Sequence, residues 1–193
     1  MTDNNAVISA LSNCTLCKET LPLPPRPIFQ LHSKAKILII GQAPGLKTHQ
    51  KNQAFDDASG DRLREWLGMT REQFYNEQIL AIMPMAFCYP GKVTNSSGDK
   101  APPKICSQTW HQQILGNLGN IELTLIIGRY AAQKYVDNFE NLTSSIRNND
   151  FTNKTIVLPH PSPRNNIWIS KNRWFETKTL PKLRQRILDA FDD

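Results

Sequence analysis

The chain has 193 residues, 39% hydrophobic and 21% charged, with a net charge of +6. These are the proportions of a soluble globular protein, long enough for a single domain over 1–193 with a real core. The basic excess suits a polyanion such as nucleic acid without requiring one. No stretch approaches the roughly 20 apolar residues of a membrane span, and Met1–Asn13 lacks the basic start and apolar run of a secretion signal. A cytoplasmic protein with no membrane partner is expected.

Taken in order, the first feature is Cys14-Thr-Leu-Cys17. In a reducing compartment such cysteines serve as thiols or metal ligands before they serve as disulfides. Leu21–Pro27 carries four prolines, which forbids a helix and predicts an extended arm. Lys36–Ile40 is an apolar, β-branched run that ends at Gly41-Gln-Ala-Pro-Gly45, the pattern of a buried strand meeting a turn. Leu46–Gln53 reads as a polar loop. A helix is predicted from near Ser59, with Leu63, Trp66 and Leu67 on one face and Gly68 as its stop. Thr70-Arg-Glu-Gln73 is a capping box that opens another short helix, and Gln78–Met83 is the second strand. Cys88–Cys106 holds three Pro and two Gly and reads as a loop. Loops of that length are functional or disordered, and a cysteine at each end suggests a pin. Ser107–Leu118 reads as helix, Glu122–Ile127 as strand, Gly128 as a turn and Arg129–Val136 as helix. Lys154–Leu158 is the fourth strand, running into Pro159-His-Pro-Ser-Pro-Arg-Asn165. Leu180, Leu183, Ile187, Leu188 and Phe191 then recur at helical spacing.

Strands alternating with helices predict an α/β fold, a three-layer α/β/α sandwich on a short, four-stranded parallel sheet. Ligands of such sheets bind beyond the carboxyl ends of the strands, so Gly41–Gly45 and His160–Asn165 would share one edge and one site. Gly41 lets a ligand approach the backbone and Pro44 stiffens the turn. Prolines around His160 fix its loop. The imidazole can then donate to an anion, and Ser162, Arg164 and Asn165 can reach phosphates.

Gly41-Gln-Ala-Pro-Gly45 paired with His160-Pro-Ser-Pro-Arg164 resembles the uracil-DNA glycosylase superfamily, whose members carry a Gly-x-x-Pro motif after the first strand and a His-Pro-Ser motif after the last. Cys14, Cys17, Cys88 and Cys106 resemble the iron–sulfur ligands of its family 4 and family 5 members. The resemblance implies a monomeric enzyme whose partner is DNA containing a damaged base. Such an enzyme flips out a deaminated base, uracil first, and hydrolyses its N-glycosidic bond in base excision repair. His160 is implied as the donor to the leaving base and Phe55 as the aromatic that stacks on it. Gly41, Ala43 and Met83 are implied around the base. Pro44, Gly45, Ser162, Pro163, Arg164 and Asn165 are implied at the DNA, with Arg164 as the wedge. The four cysteines are implied to hold a structural [4Fe–4S] cluster; zinc is the alternative, since thiolates serve both metals.

The chain departs from the family pattern in two places. Gln42 and Ala43 stand where other members carry Glu or Asp. Gln42 cannot act as a base, but its amide can position water. Asp57 of Asp57-Ala-Ser-Gly60, similar to a segment of family 5, is nominated to activate that water, against the reading of a helix-start charge. The second departure is Ile82-Met-Pro-Met-Ala86, which offers no Asn to read a uracil edge. Both departures keep open a non-catalytic nucleic-acid-binding relative with the same fold and metal. Trp168 and Trp174, near Lys171, Arg173 and Lys178, read equally as a DNA-contacting surface or as core tryptophans under a basic face.

Overall fold

The structure is a computed structural model and describes residues 4–96 and 98–192. Its centre is a sheet of β1 (Ile37–Ile40), β2 (Leu80–Ile82), β3 (Leu123–Ile127) and β4 (Thr155–Leu158). The strands lie in the order β2-β1-β3-β4 and every pairing is parallel. All four residues of β1 are buried, as expected of a central strand with helices over both faces. The four strands and their parallel pairing agree with the prediction, their ends trimmed by one or two residues.

Helices flank the sheet. Among them α1 (Asn4–Ser12) packs with α5 (Lys104–Asn117), and α3 (Ala58–Leu67) packs with α9 (Leu180–Asp192). Helix α3 is capped at both ends, at Gly68 as predicted and at Asp57, which the sequence offered only as a helix-start charge. Asp57 Oδ1 accepts from the Gly60 N–H at 2.9 Å, and Gly68 closes the helix at φ 67°. The capping box predicted at Thr70 is formed at the start of α4 (Arg71–Tyr75), with both reciprocal bonds present. The proline arm is extended and lies along β2. Gln30 exchanges two backbone hydrogen bonds with Ile82, and the Ile28 N–H donates to the Phe87 carbonyl at 2.8 Å. The arm thereby covers an edge that would otherwise offer unpaired backbone groups. No helix among the described residues is long and apolar enough to cross a membrane.

Two expectations need correction. Leu46–Gln53 is not all loop: α2 (Leu46–Lys51) starts directly after Gly45. Apart from Leu46 its residues are polar and carry no apolar stripe, and burial of Thr48 and His49 is what stabilises it. The loop after Cys88 ends at Pro103, because α5 starts at Lys104 and takes Cys106 into its first turn. Trp168 and Trp174 meet each other edge-on at 5.9 Å, Trp168 meets Phe175 at 5.7 Å, and the Trp168 Nε1–H donates to Thr143. Both are half-buried and pack against the core, as the core reading expects.

Candidate active site

The chain runs from β1 outward to β2 and then returns to β3 on the other side of β1. The crevice at the carboxyl ends of β1 and β3 is therefore the topological switch point. A cleft of about 610 Å³ lies there, within the range that holds small ligands. The segments following all four strands meet in it: Gly41–Gly45 after β1, Pro84 after β2, Gly128 after β3 and His160 after β4. The expectation that both special turns share one site is met.

Phe55 forms one wall. Its ring edge lies 3.4 Å from where a Cβ on Gly41 would stand, so the ring packs directly against the end of β1. Phe55 holds φ at 54°, an uncommon state for a bulky residue. Four neighbours fix it there. Arg64 Nη1 donates to the Phe55 carbonyl at 3.3 Å, and Tyr75 Oη donates to the Ala54 carbonyl at 3.0 Å. Arg71 pairs with Asp56 at 2.8 Å, and Phe74 meets the Phe55 ring edge-on at 6.1 Å. Arg64 is itself buried and bonded to Asp61 at 2.6 Å. The aromatic platform is thus held in shape before any ligand arrives.

His160 stands on the far side of Gly128. With φ at 82°, Gly128 turns the chain into α6 (Arg129–Tyr135), and a Cβ there would lie 3.5 Å from His160 Cβ. The Ser162 N–H donates to His160 Nδ1 at 3.2 Å. That makes Nδ1 the acceptor and puts the ring proton on Nε2. No residue among those described bonds Nε2. Burial lowers the His160 pKa below its ordinary value; the nearby Asp57 charge raises it, Arg164 lowers it and Asp99 raises it. The ring is therefore neutral near pH 7, with one N–H left to donate into the cleft. The loop around it is locked: Asn165 Nδ2 donates to the His160 carbonyl at 2.6 Å, Ser162 Oγ caps the Arg164 N–H, and Arg62 reaches Asn166 at 2.8 Å.

Gln42 and Ala43 line the cleft, as do Pro44, Gly45, Ser162, Arg164 and Asn165. Pro163 is exposed on the loop and is not among the lining residues. Met83, expected beside the base, is fully buried in the core. Its N–H donates to the Ile39 carbonyl at 2.9 Å, which continues the strand by one residue and turns the side chain inward. Ile82 and Pro84 line the cleft in its place. The Pro84 carbonyl is held by buried His111, whose Nε2–H donates to it at 3.1 Å while Nδ1 accepts from Tyr135. Sequence reasoning gave His111, Gly128 and Arg64 no part in the site.

Among the described residues two carboxylates reach the cleft. Asp57 is one, with Oδ1 engaged by the cap of α3. Asp99, which the sequence did not single out, is the other. It is carried there by the loop between β2 and α5, where Lys92 and Asp99 bridge across a hairpin. Lys47, Lys92, Arg129 and Arg164 supply positive charge around the same opening.

Away from the cleft, Cys14, Cys17, Cys88 and Cys106 line one small pocket together with Phe87 and three residues of the arm, Leu21, Pro25 and Pro27. No disulfide links them. Burial pushes Cys106 up to about 12, offset in part by the Phe87 N–H, and Cys88 up to about 11, offset by the Arg26 N–H. Bound cationic metal would be needed to hold them as thiolates. Among the described residues no three His, Cys, Asp or Glu side chains converge closely enough to hold a single metal ion.

The uracil DNA glycosylase superfamily matches the chain over residues 29–184. The chain belongs to that superfamily. Membership supports a DNA glycosylase-like function and DNA as the partner of this superfamily member. The solution structure of a candidate uracil DNA glycosylase from Methanosarcina acetivorans is similar over 83% of this chain and 97% of its own, at 18% identity and a TM-score of 0.46.

Proposed function

We propose that this superfamily member is a monomeric, monofunctional DNA glycosylase that removes a deaminated base, uracil first, as the opening step of base excision repair. One observation carries the reading: a fixed aromatic ring, Phe55, and a neutral imidazole with Nε2–H available, His160, stand around one cleft. Flipping a base costs a few kcal/mol, and stacking on Phe55 would offset part of it. As the C1′–N bond breaks, its electron pair leaves with the base. His160 donating to the base oxygen would lower that barrier, a role worth about a hundred- to a thousandfold in rate. Gln42 orients the water through its amide, with Asp57 as the carboxylate nominated by sequence. Lys47, Arg129 and Arg164 hold phosphates on either side.

The same proposal gives the four cysteines a [4Fe–4S] cluster, with zinc as the alternative. The shared pocket supports a common ligand, and thiolates serve either metal. The group would pin the loop between Cys88 and Cys106 and supply no redox step to the hydrolysis. Equal amounts of iron and acid-labile sulfide in anaerobically purified protein would support it; zinc without sulfide would support the alternative.

The test of function is release of free base from oligonucleotides carrying uracil, hypoxanthine or xanthine, read by chromatography. Release of one of them supports the reading. The absence of an acid at Gln42-Ala43 and of an Asn near Met83 favours the second reading, a non-catalytic nucleic-acid-binding relative. DNA binding without release of any base would establish that one instead.

A further inference from the structure

We infer that Asp99 is the carboxylate that activates the attacking water, supplying from the β2–α5 loop the acid that the first turn lacks at Gln42 and Ala43. The inference rests on the glycosylase reading above.

Asp99 sits at the closing end of a small hairpin. The Val93 N–H donates to the Gly98 carbonyl at 2.9 Å and the Lys100 N–H to the Gly91 carbonyl at 2.8 Å. The hairpin is seated on both halves of the site. Asp99 Oδ2 lies 3.6 Å from where a Cβ on Gly45 would stand, and Arg164 Nη1 lies 3.3 Å from the corresponding point on Gly98. The carboxylate therefore rests against the first turn, and its neighbour Gly98 against the loop that carries His160. Its charge is felt at the His160 ring.

The two cleft carboxylates differ in what they are free to do. Asp57 Oδ1 already accepts from Gly60. Asp99 Oδ1 is buried and accepts no hydrogen bond, although Lys92 Nζ stands 3.3 Å away as a counter-charge. The Lys92 ammonium offsets the Asp99 charge without a hydrogen bond to Oδ1, so that oxygen can still accept from a water. A negative group in a cleft that must take phosphates opposes binding, a cost that is offset if the group works on the reaction.

The step balances without a co-reactant. The C1′–N bond breaks and its electron pair leaves on the base, whose oxygen takes a hydrogen bond from His160. The water oxygen bonds to C1′ and its proton passes to Asp99. Asp99 returns that proton to solvent and the departed base takes one up, so that one water has been added across the bond. The cysteine-pinned loop gains a purpose: fixing both its ends fixes where Asp99 stands.

The experiment compares wild type, Asp99→Asn, Asp99→Glu and Asp57→Asn. Single-turnover cleavage uses whichever of the uracil, hypoxanthine or xanthine oligonucleotides the wild type cleaves. Binding to an undamaged strand is read by fluorescence anisotropy. Expected for Asp99→Asn is a loss of about a hundredfold or more in rate with binding unchanged or tighter. Asp99→Glu should recover at least a tenth of the wild-type rate, and Asp57→Asn should lose less rate than Asp99→Asn does. Wild-type cleavage by Asp99→Asn, or an equal loss of cleavage and binding, overturns the assignment and leaves the glycosylase reading standing. Misfolding of both Asp99 variants assigns the residue to the scaffold and overturns it too. No base release by wild type overturns the parent reading and this one with it.

Discussion

The carbonyl oxygen of Phe55 occupies the space a side chain on Gly60 would need: a Cβ there would stand 1.6 Å from it. Both residues belong to one unit, because Arg64 grips that carbonyl from within α3 while Phe55 is held at φ 54°. Gly60→Ala must displace the backbone that presents the aromatic ring. Thermal unfolding should show a loss of about 1–3 kcal/mol, the usual cost of overpacking, and cleavage should fall further than stability does. A variant with wild-type melting and cleavage would mean that the Phe55 segment moves aside freely.

Asp57→Ala and Asp57→Asn separate a cap from a charge. Ala removes the acceptor for the Gly60 N–H and should cost about 1 kcal/mol in urea unfolding, whereas Asn keeps it and should stay within about 0.5 kcal/mol of wild type. Equal destabilisation by both would mean that the cap is not what Asp57 contributes to the fold.

His111 makes stability fall in acid. Burial, reinforced by Lys134 and opposed by the Pro84 carbonyl, brings its pKa down from 6.5 to about 4. Between those values the unfolded chain binds a proton that the folded chain does not, so stability drops as pH falls through that window and is unaffected above it. From pH 7 to pH 5 this one group should cost about 2 kcal/mol, and His160, shifted in the same direction, adds to it in the same sense. Urea unfolding of His111→Gln at both pH values should show a flatter dependence than wild type.

Arg129 is exposed at the cleft rim. Arg129→Ala should weaken binding to undamaged DNA about equally across sequences. The log–log salt slope should drop by about 0.7–0.9, the signature of one phosphate contact. An unchanged slope would remove Arg129 from the DNA path.

The parts of this fold that sequence made legible are those whose signals are local. Ile37–Ile40 and Leu123–Ile127 announce buried strands by composition, and Gly41–Gly45 and His160–Asn165 announce rigid turns by their Gly and Pro. The cap at Asp57 was visible only as a charge near a helix start. Helix α2, α7 (Leu142–Arg147) and α8 (Asn166–Lys171) were not legible, because helices of six residues exist only through tertiary contacts such as the burial of His49. Met83 was misplaced by one residue, and one residue is enough to turn a strand side chain to the other face. Asp99, Arg64 and His111 join the site through contacts distant in sequence, made by a hairpin, a helix interior and a buried ring. Composition carries no record of such contacts.

The most direct measurement is single-turnover release of base from a uracil-containing oligonucleotide by wild type and by His160→Ala, at protein concentrations that saturate the DNA. Wild type should leave abasic sites, and His160→Ala should do so about a hundred- to a thousandfold more slowly with DNA binding retained. Equal rates for the two proteins would contradict the role given to the Nε2 proton. Saturated DNA with no base released by wild type, from uracil, hypoxanthine or xanthine strands, would contradict the glycosylase itself.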